Sequence, residues 1–408
     1  MVKMLQKSEY MLDYENEEQK IPSTERFFQI DVLKALMIFL VIFDHTIPWT
    51  IKNSLGVALW ERISIPIFVI IMGFNIGRSF QRQKINKKIK YDISESFYSA
   101  NYFWKKVIRY LIPFVILYII STNVGALFYG ADLDLIKAGQ WGSNYDDRHE
   151  FIGILPFWGP GNWFIPVIFG FILLAPWLYK GFSGKTSKAV MTLLLCFIVE
   201  IVVQLIIFSL KNPNPPPTFA SWDAYYTVIL LLYSILPLFS GIGLGMWFSR
   251  NYDLFSKRNL FIWILFPLSL TYLILYQFFG FRILVNGVSL ITGDYHFLVF
   301  PYSALLFLIT MKILPKNSTN ILAKIIKLIS RSTYHILLTQ IFYFGIVYAL
   351  YGDHYGASIF GMNSSEDFVL FLNLSINWCI CIPIGILWWY TGKRIRKYIK
   401  GYIEIEQI

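Results

Sequence analysis

The residues with the greatest chemical potential lie in one apolar stretch, residues 26–49, RFFQIDVLKALMIFLVIFDHTIPW. Asp31, Lys34, Asp44 and His45 stand among large apolar side chains there. Ionisable groups within an apolar span are costly, and as a rule they face a protein interior or a wet cavity. We therefore interpret this stretch as a membrane helix that carries a functional site.

Lys34 and His45 are predicted to share one face of that helix. They are eleven residues apart, which is close to three turns at 3.6 residues per turn. Ile38 and Val41 lie between them on the same face, and the helical rise separates the two ends by roughly 16 Å. A cation at one end and an imidazole at the other suit a long substrate lying along the helix better than a compact ion site.

His45 is the main catalytic candidate, because a histidine-centred acid/base or acyl-transfer site is the simplest enzymatic interpretation of this helix. Asp44 is the second catalytic candidate, although adjacent helical residues point about 100° apart. Asp31 and Lys34, three residues apart, are candidates for substrate binding. They could instead pair with each other and brace the helix, so both interpretations stay open at this point.

Glu200 is a further candidate for substrate binding, because it lies within the apolar run LLLCFIVEIVVQLIIF. A carboxylate there must be protonated, paired or in a cavity. It could meet His45 or Lys34 across the bundle. Other polar residues of the late spans, such as Gln340 and Asn377, are expected to form interhelical hydrogen bonds.

The composition indicates a membrane protein. The 408 residues are 56% hydrophobic and only 15% charged, whereas soluble domains carry about 25% charged residues. Residues 1–25 lack the apolar core of a cleavable signal peptide, so the first span is expected to act as the insertion signal. The three cysteines lie in apolar runs, so we expect neither disulfides nor a metal site.

The predicted fold is all-α, a polytopic membrane bundle of about ten transmembrane helices, each near the 20 residues that a bilayer requires. The predicted spans are 28–49, 56–79, 107–129, 162–180, 189–209, 227–249, 260–279, 296–314, 333–351 and 368–391. They form one membrane domain, 28–392, between an N-terminal segment, 1–27, and a basic tail, 393–408. The connections 130–161 and 210–226 could roof an outward-facing site.

The distribution of positive charge predicts the orientation. With the N-terminus inside, 29 of the 36 Lys and Arg residues fall on the inner side, which places both termini in the cytoplasm. This topological bias accounts for the net charge of +11 without nucleic-acid binding. The basic connection from Arg82 through Lys90, with Lys105, Lys106 and Arg109, could also attract a phosphorylated substrate or anionic lipid.

Four segments resemble the acyltransferase-3 family of integral membrane acyltransferases, whose members typically have ten spans. Asp31, Lys34 and His45 match the family's opening pattern on the first helix. The other segments are IPIFVIIMGFNIGR (65–78), with Gly73, Phe74 and Arg78; GNWFIPVIFGFILLAPWLY (161–179), with Trp163, Phe164 and Pro176; and STYHILLTQ (332–340). Lys34 stands in place of the usual arginine, Met72 replaces a serine, and Gln340 replaces a histidine, so no catalytic role is assigned to the ninth span.

The resemblance implies transfer of an acyl group, acetyl foremost, from cytoplasmic acyl-CoA to a hydroxyl of a cell-surface or lipid-linked glycan. It implies no permanently bound cofactor and a multi-pass location in the plasma membrane. The nucleotide end of the donor would sit near Lys34, Arg78 and Arg109, with the acyl end toward His45. Trp163 is taken as a substrate-binding residue. His45 would act as general base or carry the acyl group as an acyl-imidazole, and the sequence does not separate these routes.

Two other classes of function fit parts of the pattern. A secondary transporter of a sugar-like or acidic solute could use His45, Glu200 and Lys34 as a proton or ion relay. Transporters commonly show related halves, and no internal repeat is evident here. The changes at Met72 and Gln340 also permit a sensor or scaffold built on an enzyme fold. The acceptor, the acyl chain length and the oligomeric state are not predicted.

Overall fold

The computed structural model describes residues 26–86, 99–129, 161, 163–211, 236–285, 288–290, 295–351, 356–360 and 367–405. These residues are almost entirely helical, which confirms the predicted all-α class. The helices are α1 (Phe28–Thr46), α2 (Trp49–Ser54), α3 (Ser64–Asn86), α4 (Ala100–Lys106), α5 (Ile112–Tyr129), α6 (Phe164–Phe182), α7 (Thr186–Lys211), α8 (Phe239–Arg250), α9 (Leu260–Phe279), α10 (Phe300–Ile313), α11 (Ile321–Tyr351) and α12 (Asp367–Ile405).

Short elements complete the described chain. A π-helical turn, Val107–Leu111, joins α4 to α5. Single 3-10 turns span Val57–Leu59, Leu236–Leu238 and Lys257–Asn259. The strands β1 (Leu284–Val285) and β2 (Val288–Ser289) form one antiparallel hairpin, with Leu284 opposite Ser289 and Val285 opposite Val288.

A described helix overlaps each of the ten predicted spans. Among the described residues, six stretches are long and apolar enough to cross a membrane: Val57–Gln83, Tyr102–Gly125, Phe164–Phe182, Thr186–Ile206, Lys257–Phe279 and Asp367–Ile395. The count of ten crossings and the cytoplasmic placement of the termini stay predictions. Helix α12 continues through most of the predicted basic tail at 393–408. The segment 1–27 and the connections 130–161 and 210–226 lie almost wholly outside the described residues.

Helix α1 lies inside the bundle, where it packs against α3, α10, α11 and α12. Met37, Ile38 and Ile42 on α1 are completely buried. Because other helices cover α1, its polar side chains meet protein groups or an internal cavity. This is the environment in which membrane helices hold ionisable residues.

The end of α1 that carries Asp44 and His45 is fixed to α12. Asn377 on α12 donates a hydrogen bond from Nδ2 to Thr46 Oγ1, 3.0 Å away, and the backbone N–H of Gly356 donates to the carbonyl of Thr46 at 2.6 Å. The first contact is the interhelical hydrogen bond expected of Asn377. Together they hold the last turn of α1 in place.

Helices α3 and α8 approach each other closely through glycines. A β-carbon added at Gly73 would lie 2.3 Å from the carbonyl oxygen of Ile242, and one at Gly245 would lie 2.1 Å from that of Ile70. Both distances are shorter than any tolerable contact, so only glycine allows this crossing, as small residues do in membrane helix pairs. The crossing positions Arg78, which follows Gly73 by five residues on α3.

Candidate active site

Asp31 is held at the beginning of α1 by an arginine that precedes the helix. Arg26 Nε donates to both carboxylate oxygens of Asp31, at 2.9 and 2.8 Å, and Arg26 Nη2 also contacts Oδ1. Ser330 on α11 donates from Oγ to Oδ1 at 2.6 Å. Asp31 therefore ties the start of α1 to α11. Within the described residues it forms no ion pair with Lys34, so of the two interpretations left open the brace is not the arrangement present.

Lys34 instead lines a large cavity that opens at this end of α1. The cavity has a volume of ≈ 1400 Å³, above the usual range for sites of drug-sized ligands. Of the described residues that line it, Asp31 is the single carboxylate. The lining includes nine basic side chains, Arg26, Lys34, Arg78, Arg82, Lys105, Lys106, Arg109, Arg331 and Lys393. We call the part of the cavity bounded by these residues its basic end, and it attracts anions.

Arg78 projects into the basic end from an aromatic surround. Its guanidinium carbon lies 4.7 Å from the ring centre of Phe27 and 5.9 Å from those of Phe74 and Tyr252. Cation–π contacts of this kind attract and position a guanidinium. Arg78 is nevertheless 93% buried, since its exposed fraction is 7%. Its position among these rings therefore fixes a buried positive charge at the cavity wall.

The π-helical turn Val107–Leu111 forms another part of the same wall, with Ile108, Arg109 and Tyr110 all facing the cavity. Tyr334 on α11 donates its hydroxyl to the carbonyl of Tyr110 at 2.9 Å. A π-turn widens the helix and alters its hydrogen bonds, and such turns are frequent at functional sites. The Tyr334 hydroxyl therefore anchors the turn that presents Arg109.

Beyond the basic end the cavity is apolar and follows α1 along Ile38 to Val41. At that far end Val41, Phe164 and Leu337 line it. Each of these residues lies three or four positions in sequence from one of three residues, His45, Gly161 and Gln340, which we call the polar group. His45 follows Val41, Gly161 precedes Phe164, and Gln340 follows Leu337.

His45, Gly161 and Gln340 meet just past the apolar end of the cavity. A β-carbon added at Gly161 would lie 3.3 Å from His45 Nε2 and 3.2 Å from Gln340 Nε2. Gly161 has a positive φ of 81°, in the left-handed region that favours glycine. Phe344 on α11 packs on the His45 ring, with 5.8 Å between ring centroids. These contacts aim the Nε2 edge of the imidazole toward Gly161 and Gln340.

Asp44 lies on the opposite edge of the His45 ring but is engaged elsewhere. His45 Nδ1 is 3.9 Å from Asp44 Oδ2, which is longer than a hydrogen bond. Lys52 donates from Nζ to Asp44 Oδ1 at 2.7 Å and to its backbone carbonyl at 2.8 Å. Arg62 forms a longer ion pair with Oδ1 at 3.8 Å. Asp44 therefore supplies negative charge near His45 without fixing the ring by a direct hydrogen bond.

Trp163 lies near this polar group but outside the cavity lining. Its ring stacks on Tyr295, with 5.8 Å between centroids and 19° between planes. The hydroxyl of Tyr295 is 3.4 Å from Arg62 Nη1, at the long limit of a hydrogen bond. Trp163 is thus connected with the His45 end of the molecule rather than with the basic end.

Glu200 lies outside this site. It is completely buried on α7, where Oε2 accepts hydrogen bonds from the backbone N–H of Ser240 at 2.9 Å and from its hydroxyl at 2.5 Å. Ser240 is in the first turn of α8, where backbone N–H groups lack helical partners and favour negative charge. Neither His45 nor Lys34 forms an ion pair with Glu200 among the described residues. Its position favours a structural contact between α7 and α8.

His335 is a residue of the site that the sequence pattern did not single out. Its exposed fraction is 5%, and it lines the cavity. Its ring meets that of Trp388 edge-on, with 5.4 Å between centroids. Gln340 and Gly161 were also not assigned to the site, because only the folded chain brings them to His45.

An apolar helical bundle around an internal cavity that leads from a basic end toward a partly buried histidine is the arrangement of a multi-pass membrane protein with an internal ligand site. The chain belongs to the acyltransferase-3 family, since the model for that family's acyltransferase domain matches residues 27–394. It is thus a membrane acyltransferase. No curated protein and no solved structure matches the chain significantly.

Proposed function

We propose that this acyltransferase takes its acyl group from acyl-CoA, acetyl-CoA foremost, and transfers it to a hydroxyl of a cell-surface or lipid-linked glycan. The observation that carries the proposal is the cavity along α1, which is basic around Lys34 and apolar from Ile38 to Val41. It ends one helical turn from His45. A donor with phosphates at one end and a thioester at the other fits this sequence of environments.

The basic end would bind the phosphates of the donor. Lys34, Arg78 and Arg109 reach it from three separate helical elements, so their charges surround a ligand rather than follow one face. Arginine and lysine form strong charge-assisted hydrogen bonds with phosphate oxygens. Because Asp31 is already bound by Arg26, its negative charge is offset before a ligand arrives, and its role is to hold this end of α1.

The thioester arm would lie along Ile38 and Val41 with the acyl carbon near His45 Nε2. Asp44 adds negative charge near Nδ1 without a direct hydrogen bond, and the Nε2 edge of the ring faces Gly161. His45 would then take the proton of the acceptor hydroxyl as general base, or attack the thioester to form an acyl-imidazole. Trp163 and Tyr295 offer aromatic faces for a sugar acceptor close to His45.

The orientation follows from the distribution of charge. With the basic end facing the cytoplasm, the donor enters from the compartment that supplies acyl-CoA, and His45 lies toward the outer face. This agrees with the excess of Lys and Arg in the predicted inner segments. The enzyme would thus act in the plasma membrane and pass an acyl group, but not the whole donor, to the outer side.

Replacement of His45 by Ala tests the proposal. We expect kcat/KM to fall at least about a hundredfold, because general bases contribute 10²–10⁴-fold. The assay follows radiolabelled acetyl-CoA in proteoliposomes supplied with a cell-envelope extract, and the label should enter an alkali-labile ester. His296→Gln is the matched control, because that buried histidine bonds Tyr272 instead of facing the cavity.

Two results would count against the proposal. An H45A protein with normal transfer would remove His45 from the mechanism. Accumulation of a labelled solute inside the vesicles, with no covalent transfer, would favour the transporter function instead. Folding of each variant is checked by its thermal midpoint, so that loss of activity is not confused with loss of structure.

A further inference from the structure

Two neutral polar side chains of α3, Asn75 and Ser79, face the cavity. Both line it, and both are exposed, whereas their neighbours Phe74 and Ile76 are buried. The two polar residues are four positions apart, so they lie one turn from each other on the same face of α3. The proposed mechanism gives neither of them a role.

Neither side chain is engaged within the described part of the chain, where Asn75 and Ser79 form no hydrogen bond with another group of the protein. Serine and threonine in a helix often donate to the carbonyl four residues back, as Thr333 on α11 does to Ile329 at 3.2 Å. Asparagine in a membrane helix often bonds across helices, as Asn377 does. An amide and a hydroxyl on α3 are thus available to a ligand in the cavity.

The face of α3 that lines the cavity changes in character along its length. From one end to the other it carries apolar, then neutral polar, then positively charged side chains: Ile65, Phe68, Met72, Asn75, Ser79 and Arg82. Steps of three or four residues keep them on one side of the helix. At 1.5 Å per residue, Asn75 lies about 10 Å along the axis from Arg82. A ligand that matches this order has an anionic end followed by neutral hydrogen-bonding groups.

We propose that Asn75 and Ser79 bind the pantetheine arm of the donor, at the hydroxyl and the amide that follow the phosphates. The inference rests on the proposed function, which supplies the phosphates and the thioester. In coenzyme A the pyrophosphate is followed by a dimethyl carbon, this hydroxyl and this amide, and then by a second amide and the sulfur. An asparagine amide both donates and accepts, so it can bond the N–H or the C=O of the arm.

These contacts would set the choice of donor. A site built to hydrogen-bond a substrate hydroxyl or N–H rejects an analogue that lacks it, because the polar groups of the site are then left without partners. An acyl phosphate and a lipid-linked acyl donor carry phosphate but no pantetheine arm. The basic end alone does not distinguish them from acyl-CoA, whereas Asn75 and Ser79 do.

The test compares the binding of two probes to the purified protein by calorimetry. Coenzyme A carries the arm, and adenosine 3′,5′-bisphosphate carries a nucleotide and two phosphates without it. Asn75→Leu keeps the size and removes the amide, so the amide of the arm would be buried without a partner. We expect the Kd for coenzyme A to rise about five- to a hundredfold and the Kd for the bisphosphate to stay within about twofold. Ser79→Ala should raise the Kd for coenzyme A about two- to tenfold.

Two further variants separate recognition of the arm from damage to the helix. Asn123→Leu is the matched control on α5, outside the described lining, where the amide donates to the carbonyl of Ile119 in its own helix at 2.7 Å. It should change neither Kd. Asn75→Ala removes the same amide without adding bulk to the cavity wall, and it should weaken coenzyme A selectively as well. Thermal midpoints show that each variant is folded.

Unchanged binding of coenzyme A in both Asn75 variants would overturn the inference while leaving the proposed function in place. An equal weakening of both probes would also overturn it, because Asn75 would then act on the phosphates or on the fold rather than on the arm. Wild-type protein that binds coenzyme A with the expected dependence on Asn75 but transfers no acetyl group would overturn the proposed function and leave the inference standing. Wild-type protein that binds no coenzyme A would overturn both.

Discussion

Replacement of Lys34 by Met should weaken donor binding and leave the chemical step unchanged. Lys34 lines the basic end of the cavity, and Asp31 is already bound by Arg26 and Ser330. The ammonium is therefore available to a ligand phosphate. A hydrogen bond to a charged group contributes about 1.5–3 kcal/mol. At 1.4 kcal/mol per factor of ten, the KM for acyl-CoA should rise about tenfold to about a hundredfold.

The measurement is the initial rate of acetyl transfer against acetyl-CoA concentration, together with calorimetric binding of CoA to the purified protein. Interactions that are equal in the ground state and the transition state change KM and not kcat, so kcat should stay within threefold. Lys34→Arg keeps the charge and should bind the donor nearly as well. Lys312→Met removes an exposed cation outside the cavity and should change neither constant.

The reasoning would be refuted by a Lys34→Met protein with an unchanged donor KM and an unchanged Kd for CoA. A lowered thermal midpoint with normal donor binding would show that Lys34 braces α1 through Asp31 after all. A loss of binding in Lys312→Met of the same size would show that the enzyme senses overall positive charge rather than a located cation.

Two further changes test the frame around the site. Tyr334→Phe removes the hydroxyl that donates to the Tyr110 carbonyl, so the turn that presents Arg109 loses a contact. Because a hydrogen bond contributes about 0.5–1.5 kcal/mol net, the KM for the donor should rise about two- to tenfold. An unchanged KM would contradict this. Gly245→Ala should lower the free energy of unfolding by about 1–3 kcal/mol, because its β-carbon has no room at the α3–α8 crossing. Gly392→Ala, with no atom within 4 Å of the added carbon, should be neutral or stabilising, and equal thermal midpoints for the two alanine variants would contradict the assignment.

The local part of the site could be predicted from the sequence. The face that carries Lys34, Ile38, Val41 and His45 is set by helical periodicity, which requires no knowledge of other helices. The structure shows a cavity along that face as far as Val41. The positions of the helices could also be predicted locally, because each apolar run of about 20 residues indicates a membrane span.

The partners of the charged residues could not be predicted in this way. Helical spacing left open whether Asp31 pairs with Lys34. The helix begins at Phe28, so Arg26 lies before it and folds back onto the carboxylate. Glu200 accepts a hydrogen bond from Ser240, which lies forty residues further along the chain on α8. Such contacts depend on which helices pack together, and a single sequence does not contain that information.

Gln340 could be read from the sequence only by its chemical type. A glutamine in place of a histidine removes a titratable group, so the ninth span was given no catalytic role. In the folded chain the amide nitrogen of Gln340 lies beside Gly161, as does His45 Nε2. Its nearness to His45 could not be predicted, because it depends on the packing of α1 against α11.

A single helix therefore determines the separation between donor binding and chemistry. Lys34 and His45 stand on α1 roughly 16 Å apart, and a helix changes its length far less readily than a loop. Contacts fix both ends, Asp31 with Arg26 and Ser330 at one and Thr46 with Asn377 at the other. Arg78 lies on α3, which packs against α1, and Arg109 lies on the π-helical turn that lines the same cavity. If the phosphates of the donor bind at the basic end, the length of the donor determines where its acyl carbon lies. The fixed distance between Lys34 and His45 would therefore select donors by length, before any contact with the acyl group is made.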